Sequence, residues 1–305
     1  MITPALRIAA QAKINLHLRV FARDDSGYHS LETIFHRIDL SDDILIEITP
    51  RERTLDVSGG QTGPTESNLA WRAAHEYAER NGWPRGFRIE LTKRIPVGAG
   101  LGGGSADAAA VLRSLNSLSP NPMGQVGLLS LAAKLGSDVP FLASDAVMAL
   151  AWGRGERMLS LPPLPRKDLL VMSPQFSVST ADAYGWLDED RASRKRARAV
   201  MEEDEDEVSE STVLDTLSLS TWDSIARFAR NDFEGPVGQR HPQLREYLER
   251  LRNSRAIFSG MTGSGSTIFG VLDSPPTYAK VPEEHRASVT TTKTAIDVVQ
   301  PVRVG

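Results

Sequence analysis

The residues best suited to chemistry run Lys93-Arg94-Ile95-Pro96-Val97-Gly98-Ala99-Gly100-Leu101-Gly102-Gly103-Gly104-Ser105-Ala106. Five of the seven residues from Gly98 to Gly104 are glycine. Lacking a Cβ, they can turn successive backbone N–H groups toward one point. The Ala-rich segment that opens at Ser105 is predicted to be helical, and a helix N-terminus adds partial positive charge at that point. Together these features make an anion pocket, with phosphate as its natural occupant. A plain surface turn would need neither Pro96 before the glycines nor an alanine run behind them.

Several phosphate chemistries are excluded. No Gly-Lys-Ser/Thr closes either glycine loop, so Walker A spacing is absent. Gly98, Gly100 and Gly103 satisfy a dinucleotide fingerprint, but Pro120-Asn121-Pro122 and a further helix stand where that unit needs a second strand ending in an acid. The His-Arg-Asp and Asp-Phe-Gly signatures of protein kinases are missing. The chain has no cysteine, which removes disulfides, thiolate metal sites and a cysteine nucleophile. Its six histidines show no paired spacing for a metal. A net charge of −4 argues against a general nucleic-acid binder. With no leader-like start and no membrane-length apolar run, a soluble cytoplasmic protein is expected.

The elements that must position this loop follow from periodicity. Strands are predicted at Leu6–Ala12, Ile14–Phe21, Thr33–Leu40, Ile44–Thr49, Phe87–Thr92 and Ala146–Trp152. Asn68 or Ser67 caps a helix that ends at Asn81-Gly82, and helices follow at Ser105–Leu118 and Gly124–Leu135. Gly136 to Phe141 reads as a loop. Pro162-Pro163-Leu164-Pro165 reads as a domain boundary, dividing the chain into residues 1–161 and 166–305. The second half should hold strands at Leu169–Met172, Ala256–Ser259 and Thr267–Leu272, with helices at Thr180–Leu187, Trp222–Arg230 and Pro242–Arg252. Residues 188–211, basic and then acidic from Glu202 to Glu207, read as a solvated or disordered insert, with a partner-binding tail as the alternative.

The loop from Pro96 to Ala106 resembles the phosphate loop of the GHMP kinases, the superfamily of galactokinase, homoserine kinase and mevalonate kinase. The resemblance extends to the 4-diphosphocytidyl-2-C-methyl-D-erythritol kinases of the non-mevalonate isoprenoid pathway. It is carried by Ala12-Lys13-Ile14-Asn15-Leu16, Gly27-Tyr28-His29, Asn68-Leu69, Gly136-Ser137-Asp138-Val139-Pro140, Asn231-Asp232-Phe233-Glu234 and Met261-Thr262-Gly263-Ser264-Gly265, in that order.

What the resemblance implies is an α+β, two-domain fold: an N-terminal α/β domain with the glycine loop and a C-terminal ferredoxin-like domain, with the site in the cleft between them. It implies transfer of the ATP γ-phosphoryl group to the 2-hydroxyl of the methylerythritol unit. ATP would come with Mg²⁺ as co-substrate, without a tightly bound cofactor, and the chain would be a monomer or weak homodimer with no membrane or nucleic-acid partner. Backbone N–H groups of Gly98–Ser105 would hold the triphosphate, with Gly102 or Gly103 approaching it closely, and Ser105 Oγ would reach a phosphate oxygen or Mg²⁺. Asn68 belongs with the nucleotide site. Lys13 and Asp138 match the catalytic pair, one offsetting charge and the other accepting the hydroxyl proton. Asn15, Tyr28, His29, Thr180, Tyr184, Gly263 and Ser264 fall on the acceptor side, with Tyr28 and Tyr184 expected to sandwich the cytosine. Taken singly, Asp138 reads equally well as a helix cap, Lys13 as a solvated strand lysine and Tyr28 as a turn aromatic. Two other functions fit parts of the pattern: another small-molecule kinase of the superfamily, and a nucleotide-binding module without catalysis.

Overall fold

The computed structural model describes residues 3–25, 27–201, 215, 217–253, 256–273, 286–297 and 299–304. Two 21-residue strands form its spine, β1 (Thr3–Arg23) and β2 (His29–Thr49), paired antiparallel. Each replaces two shorter predicted strands. In β1 the pattern that suggested a break is absorbed by register shifts between Gln11 and Lys13 and between Asn15 and His17. Such bulges re-aim side chains without ending the strand. Gln11, Lys13 and Asn15 are all buried, because β1 is covered on both faces.

β3 (Arg53–Ser58) runs parallel to β4 (Gly86–Thr92), and α1 (Leu69–Asn81) makes the crossover. Asn68 caps α1 by accepting from Ala70 N at 2.9 Å, and Gly82 ends it at φ +71°. α2 (Gly103–Leu118), α3 (Gln125–Leu135) and α4 (Val139–Ala143) follow, then β5 (Met148–Gly153) and β6 (Arg157–Leu161). The supposed loop at Gly136–Phe141 therefore runs into a helix, since Pro140 suits a first helical turn. β2 serves two neighbours: its first half pairs with β5 and its second with β4.

The second sheet holds β7 (Asp168–Ser173), β8 (Ala256–Met261), β9 (Ile268–Leu272) and β10 (Arg286–Thr291), with α5 (Thr180–Met201), α6 (Trp222–Phe228), α7 (Glu234–Arg240) and α8 (Pro242–Arg252) between β7 and β8. Its spatial order β10-β7-β9-β8 is fourth, first, third, second in chain order, the expected ferredoxin-like arrangement. The chain then returns: β11 (Gln300–Val304) pairs with β1 and extends the first sheet. β1 links the two cores, with Ile8 to Leu16 in the larger and Leu18 and Val20 in the smaller.

The charged insert needs correction over its first part. The helix expected to stop at Leu187 continues to Met201, carrying residues 188–201 with it. Arg191 Nη2 donates to the Val20 carbonyl and, at 3.2 Å, to Asp232, while Arg23 pairs with Asp188 at 2.6 Å. The Arg23–Asp188 pair and the Arg191 bond to Val20 dock this turn of α5 onto the end of β1, while residues 192–196 stay exposed as the solvated reading expects. The acidic run Glu202–Glu207 lies outside the described residues.

Candidate active site

The glycine loop takes its shape from three left-handed residues, Gly98, Gly100 and Gly102, at φ +71°, +80° and +72°. Gly102 is also the N-cap of α2, which begins two residues before the predicted Ser105. The loop is clasped by the second glycine loop. A Cβ on Gly100 would overlap the Thr262 carbonyl, and one on Gly263 would come within 3.0 Å of the Gly100 carbonyl. Backbone bonds from Lys13 N to Leu101 O (3.1 Å) and from Thr267 N to Ala99 O (3.3 Å) tie it to both halves of the molecule. Gly103 has a reason for its size within the protein itself. Its Cβ would press on Ile95 Cγ2 at 3.0 Å and Lys93 Nζ at 3.3 Å, which are walls of the protein itself.

Beneath the loop lies a buried triad that the sequence reading missed. The Lys93 ammonium donates to Asp42 and, at 2.6 Å, to Asp107, and all three side chains are buried. The other Asp42 oxygen accepts from Arg94 N and, at 2.8 Å, from Ile95 N. Lys93 stands at the loop's entry and Asp107 in the first turns of α2 at its exit, so one ammonium joins both ends. Burial pushes the Asp107 carboxyl up to about 7, against the pull of Lys93 and with the push of Asp42. Two carboxylates sharing one cation in a dry site favour keeping a proton.

Lys13 and Asp138 meet above the loop. Lys13 Nζ is 3.4 Å from Asp138 Oδ2 and donates to Asn15 Oδ1 at 2.7 Å and to the Gly100 carbonyl at 3.0 Å. Its side chain is 3% exposed, which disposes of a solvated lysine, and its ammonium lies 5.6 Å from the centre of the Phe35 ring. Asp138 precedes α4 but its carboxylate makes no cap bond, so the capping alternative also fails. A Cβ on Gly102 would stand 3.0 Å from Lys13 Cε and 3.6 Å from Asp138 Oδ2. That empty position keeps the pair open to the loop.

These groups line a cavity of about 390 Å³. Of the residues singled out by sequence, it gathers Lys13, Asn15, Gly98, Gly100, Gly102, Asp138, Thr180, Tyr184, Gly263 and Ser264. Ser137 and Phe233, which the sequence marks only as parts of motif blocks, join them, as do Thr33 and Phe35, to which it assigns no role in the site. Thr180 Oγ1 and Ser264 Oγ are 3.3 Å apart, closing one rim. Leu101 and Ala106 are buried in the core instead, and Asn68 Oδ1 is engaged in its cap. A second cavity of about 430 Å³, lined by Leu55, Val57, Gly60 to Gly63 and Thr65, lies beside the loop, where Gly60 approaches Val97.

The expected Tyr28–Tyr184 sandwich is not assembled. Tyr28 sits in the turn between β1 and β2, 56% exposed, with the Arg154 guanidinium 3.8 Å from its ring centre. The ring that lies against Tyr184 is His29, with centroids 5.1 Å apart and planes 22° from parallel. His29 Nδ1 is 2.7 Å from the Phe21 carbonyl, while Nε2 lies 3.2 Å from Arg23 Nε and 3.3 Å from Asp188. Phe233 also packs on Tyr184, with ring centres 4.9 Å apart and planes 84° from parallel. Burial, reinforced by the nearby Asp138 carboxylate, raises the Tyr184 phenol, so it stays protonated at neutral pH.

"GHMP kinases N terminal domain" matches residues 68–150, which hold the glycine loop and Asp138, and "GHMP kinases C terminal" matches residues 214–289, which hold the second loop. The chain therefore belongs to the GHMP kinases, a family of small-molecule kinases. The 4-diphosphocytidyl-2-C-methyl-D-erythritol kinase of Nitratidesulfovibrio vulgaris (strain DP4) is 37% identical over 273 residues, 88% of this chain and 90% of that protein. Within the superfamily, the chain belongs to the 4-diphosphocytidyl-2-C-methyl-D-erythritol kinases. A crystal structure of 4-(cytidine 5'-diphospho)-2C-methyl-D-erythritol kinase superposes with a TM-score of 0.72 at 34% identity, covering 94% of this chain and 98% of that one. Homoserine kinase from Cytophaga hutchinsonii, at 17% identity and a TM-score of 0.64 over 98% and 97% of the two chains, shares the fold.

Proposed function

We propose that the chain transfers the γ-phosphoryl group of ATP to the 2-hydroxyl of 4-diphosphocytidyl-2-C-methyl-D-erythritol. The observation that carries this reading is the Lys13–Asp138 pair at 3.4 Å, set over a loop of inward-turned backbone at a helix N-terminus. In-line phosphoryl transfer asks for positioning and charge stabilisation more than covalent work. The loop from Gly98 to Ser105 holds the triphosphate, and the cavity beside Val97 receives the nucleoside. The acceptor occupies the Lys13–Tyr184 cavity with its hydroxyl facing Asp138. The Asp138 carboxylate takes the hydroxyl proton as the oxygen attacks phosphorus, and the bond to the ADP oxygen breaks on the far side. The Lys13 ammonium, fixed by Asn15 and the Gly100 carbonyl, faces the charge on the transferred group.

Ser105 Oγ is a hard oxygen donor of the kind Mg²⁺ prefers and would hold a cation carried in on the phosphates, leaving Asp138 free as the base. Such a cation neutralises phosphate charge. Tyr184, His29 and, at the mouth, Tyr28 form the wall proposed for the cytosine. The division into residues 1–161 and 166–305 is proposed as the hinge of the cleft, with β11 remaining on the first side. Initial rates of ADP release with the cytidine substrate, homoserine and mevalonate test the assignment. The cytidine substrate alone should turn over, and Asp138→Asn should cut that rate by roughly 10²–10⁴-fold with both substrates still bound. Turnover of homoserine or mevalonate in its place would refute the substrate, and near-normal rates in Asp138→Asn would refute the base.

A further inference from the structure

The strand that supplies Phe35 also supplies Arg37, first among the largest fully buried side chains and 1% exposed. A buried guanidinium usually answers a carboxylate. This one answers carbonyls. Its Nε donates to Ala146 O at 2.8 Å, and its Nη2 to Phe141 O and Leu142 O at 2.9 Å each and to Ser144 O at 3.0 Å. Asp145 and Asp297 favour its charge and Arg113 opposes it, none of them by a hydrogen bond to it. Burial lowers the guanidinium to about 9, which still leaves it charged at neutral pH.

Those carbonyls belong to the C-terminal end of α4 and the turn behind it, where a helix presents partial negative charge. The opposite end of α4 is Asp138. The helix is only five residues long, and Pro140 donates no backbone bond. A single turn has little capacity to hold its own axis. Asp138 makes no cap bond, so its direction follows the helix that Arg37 grips. The guanidinium lies 5.1 Å from the Phe141 ring centre, and that ring stacks on Phe35 at 5.0 Å. Phe35 in turn lies beneath the Lys13 ammonium. Phe35 and Arg37 are two apart on β2 and share a face. One strand therefore sets both members of the pair.

We propose that Arg37 is a positioning residue for phosphoryl transfer: by holding the carbonyl end of α4, it fixes where the Asp138 carboxylate meets Lys13 and the acceptor hydroxyl. The inference rests on Asp138 being the base. A double-mutant cycle in single-turnover rate tests it, because residues acting through one group give non-additive losses. Arg37→Lys keeps a cation but cannot span four carbonyls. It should lower the single-turnover rate about tenfold or more, with Michaelis constants for both substrates within about twofold of wild type. In an Asp138→Asn background the same change should cost less than about twofold, since no carboxylate remains to be placed. Multiplicative losses, or a raised Michaelis constant at an unchanged rate, would overturn the proposal. Should Arg37→Lys fail to fold, Phe141→Leu loosens the same helix end and must show the same non-additivity, with multiplicative losses again overturning it. Failure of the base assignment looks different: Asp138→Asn alone would then turn over normally, and Arg37 would have nothing to position.

Discussion

Gly98 and Gly102 allow the contact at the heart of the site to be separated from backbone strain. Both are left-handed, at φ +71° and +72°, so alanine at either carries a similar conformational penalty of about 1–2 kcal/mol. Their surroundings differ. A Cβ on Gly98 meets nothing within 4 Å, whereas one on Gly102 stands 3.0 Å from Lys13 Cε and 3.1 Å from Cγ. Carbon pairs prefer about 3.5–4.0 Å, so the lysine stem must move by about half an ångström or more. Its ammonium is held at 2.7 Å by Asn15 and 3.0 Å by Gly100, so the movement is taken out of those bonds. Losing one hydrogen bond to a charged group is worth about 1.5–3 kcal/mol, or about 10–100-fold in rate. We predict a fall in melting temperature for both variants from the shared strain, deeper in Gly102→Ala because a buried bond is also lost, and a kcat about 10–100-fold lower in Gly102→Ala than in Gly98→Ala. Calorimetry and initial rates at saturating substrates measure both. Equal kcat values in two folded variants would refute the claim that the bare Gly102 position keeps Lys13 in place.

Two further expectations follow from the surrounding groups. Burial holds the folded Asp107 carboxyl at about 7, above its ordinary value of 3.8, so the folded protein binds the extra proton across that window. Stability from this group is full below about 4 and is lost as pH rises through about 7. Relative to Asp107→Asn, wild type should therefore be less stable at pH 8 than at pH 5 by denaturant unfolding, and a pH-independent difference would contradict the shift. At the other end of the cleft, Tyr184→Ala should raise the Michaelis constant for the cytidine substrate about tenfold and leave that for ATP unchanged, as base stacking is worth roughly 1–3 kcal/mol. Tyr28→Ala, whose ring lies against Arg154, should do less, and a rise in the ATP constant instead would mean the two ends of the cleft are reversed.

The parts of the site legible in the sequence were those that backbone conformation or local pattern dictates. Glycines at left-handed positions, the Asn68 cap and the order of motif blocks all sit within a few residues of the feature they signal. Lys93, Asp42 and Asp107 carried no such signal. Asp42 lies 51 positions from Lys93, and a charged residue in a strand or helix reads as solvent-facing until the fold buries it. Arg37 escaped for the same reason, its partners lying more than 100 positions away. The helical continuation through residues 188–201 was hidden by charge density, which composition assigns to solvent: the fold uses Asp188 and Arg191 to dock α5 on the end of β1 and leaves residues 192–196 exposed. Tyr28 misled because adjacency to His29 says nothing about which ring turns inward. Tyr28 lies in the turn and stays exposed, whereas His29 opens β2 and is buried.

Asn15 shows why both halves of the chain are needed before any chemistry is possible. Its Oδ1 accepts from Lys13 Nζ at 2.7 Å, from Gly263 N at 2.9 Å and from Thr262 Oγ1 at 3.1 Å. Its Nδ2 donates to Thr33 Oγ1 at 2.8 Å, which commits one of two amide hydrogens. Asn231 braces the second loop from behind, donating to the carbonyls of Met261 and Gly263 at 2.7 and 2.9 Å. One amide oxygen thus joins the ammonium that faces the phosphoryl group to the loop that clasps Gly100. An aspartate there could accept the same three bonds, but it would set a second carboxylate against Lys13 and offer Thr33 no donor. Lys13 would then divide its charge between two anions, drawing it away from Asp138 and from the transferred group. A neutral amide orients the lysine without neutralising it, and does so only once β1 and the second glycine loop have come together.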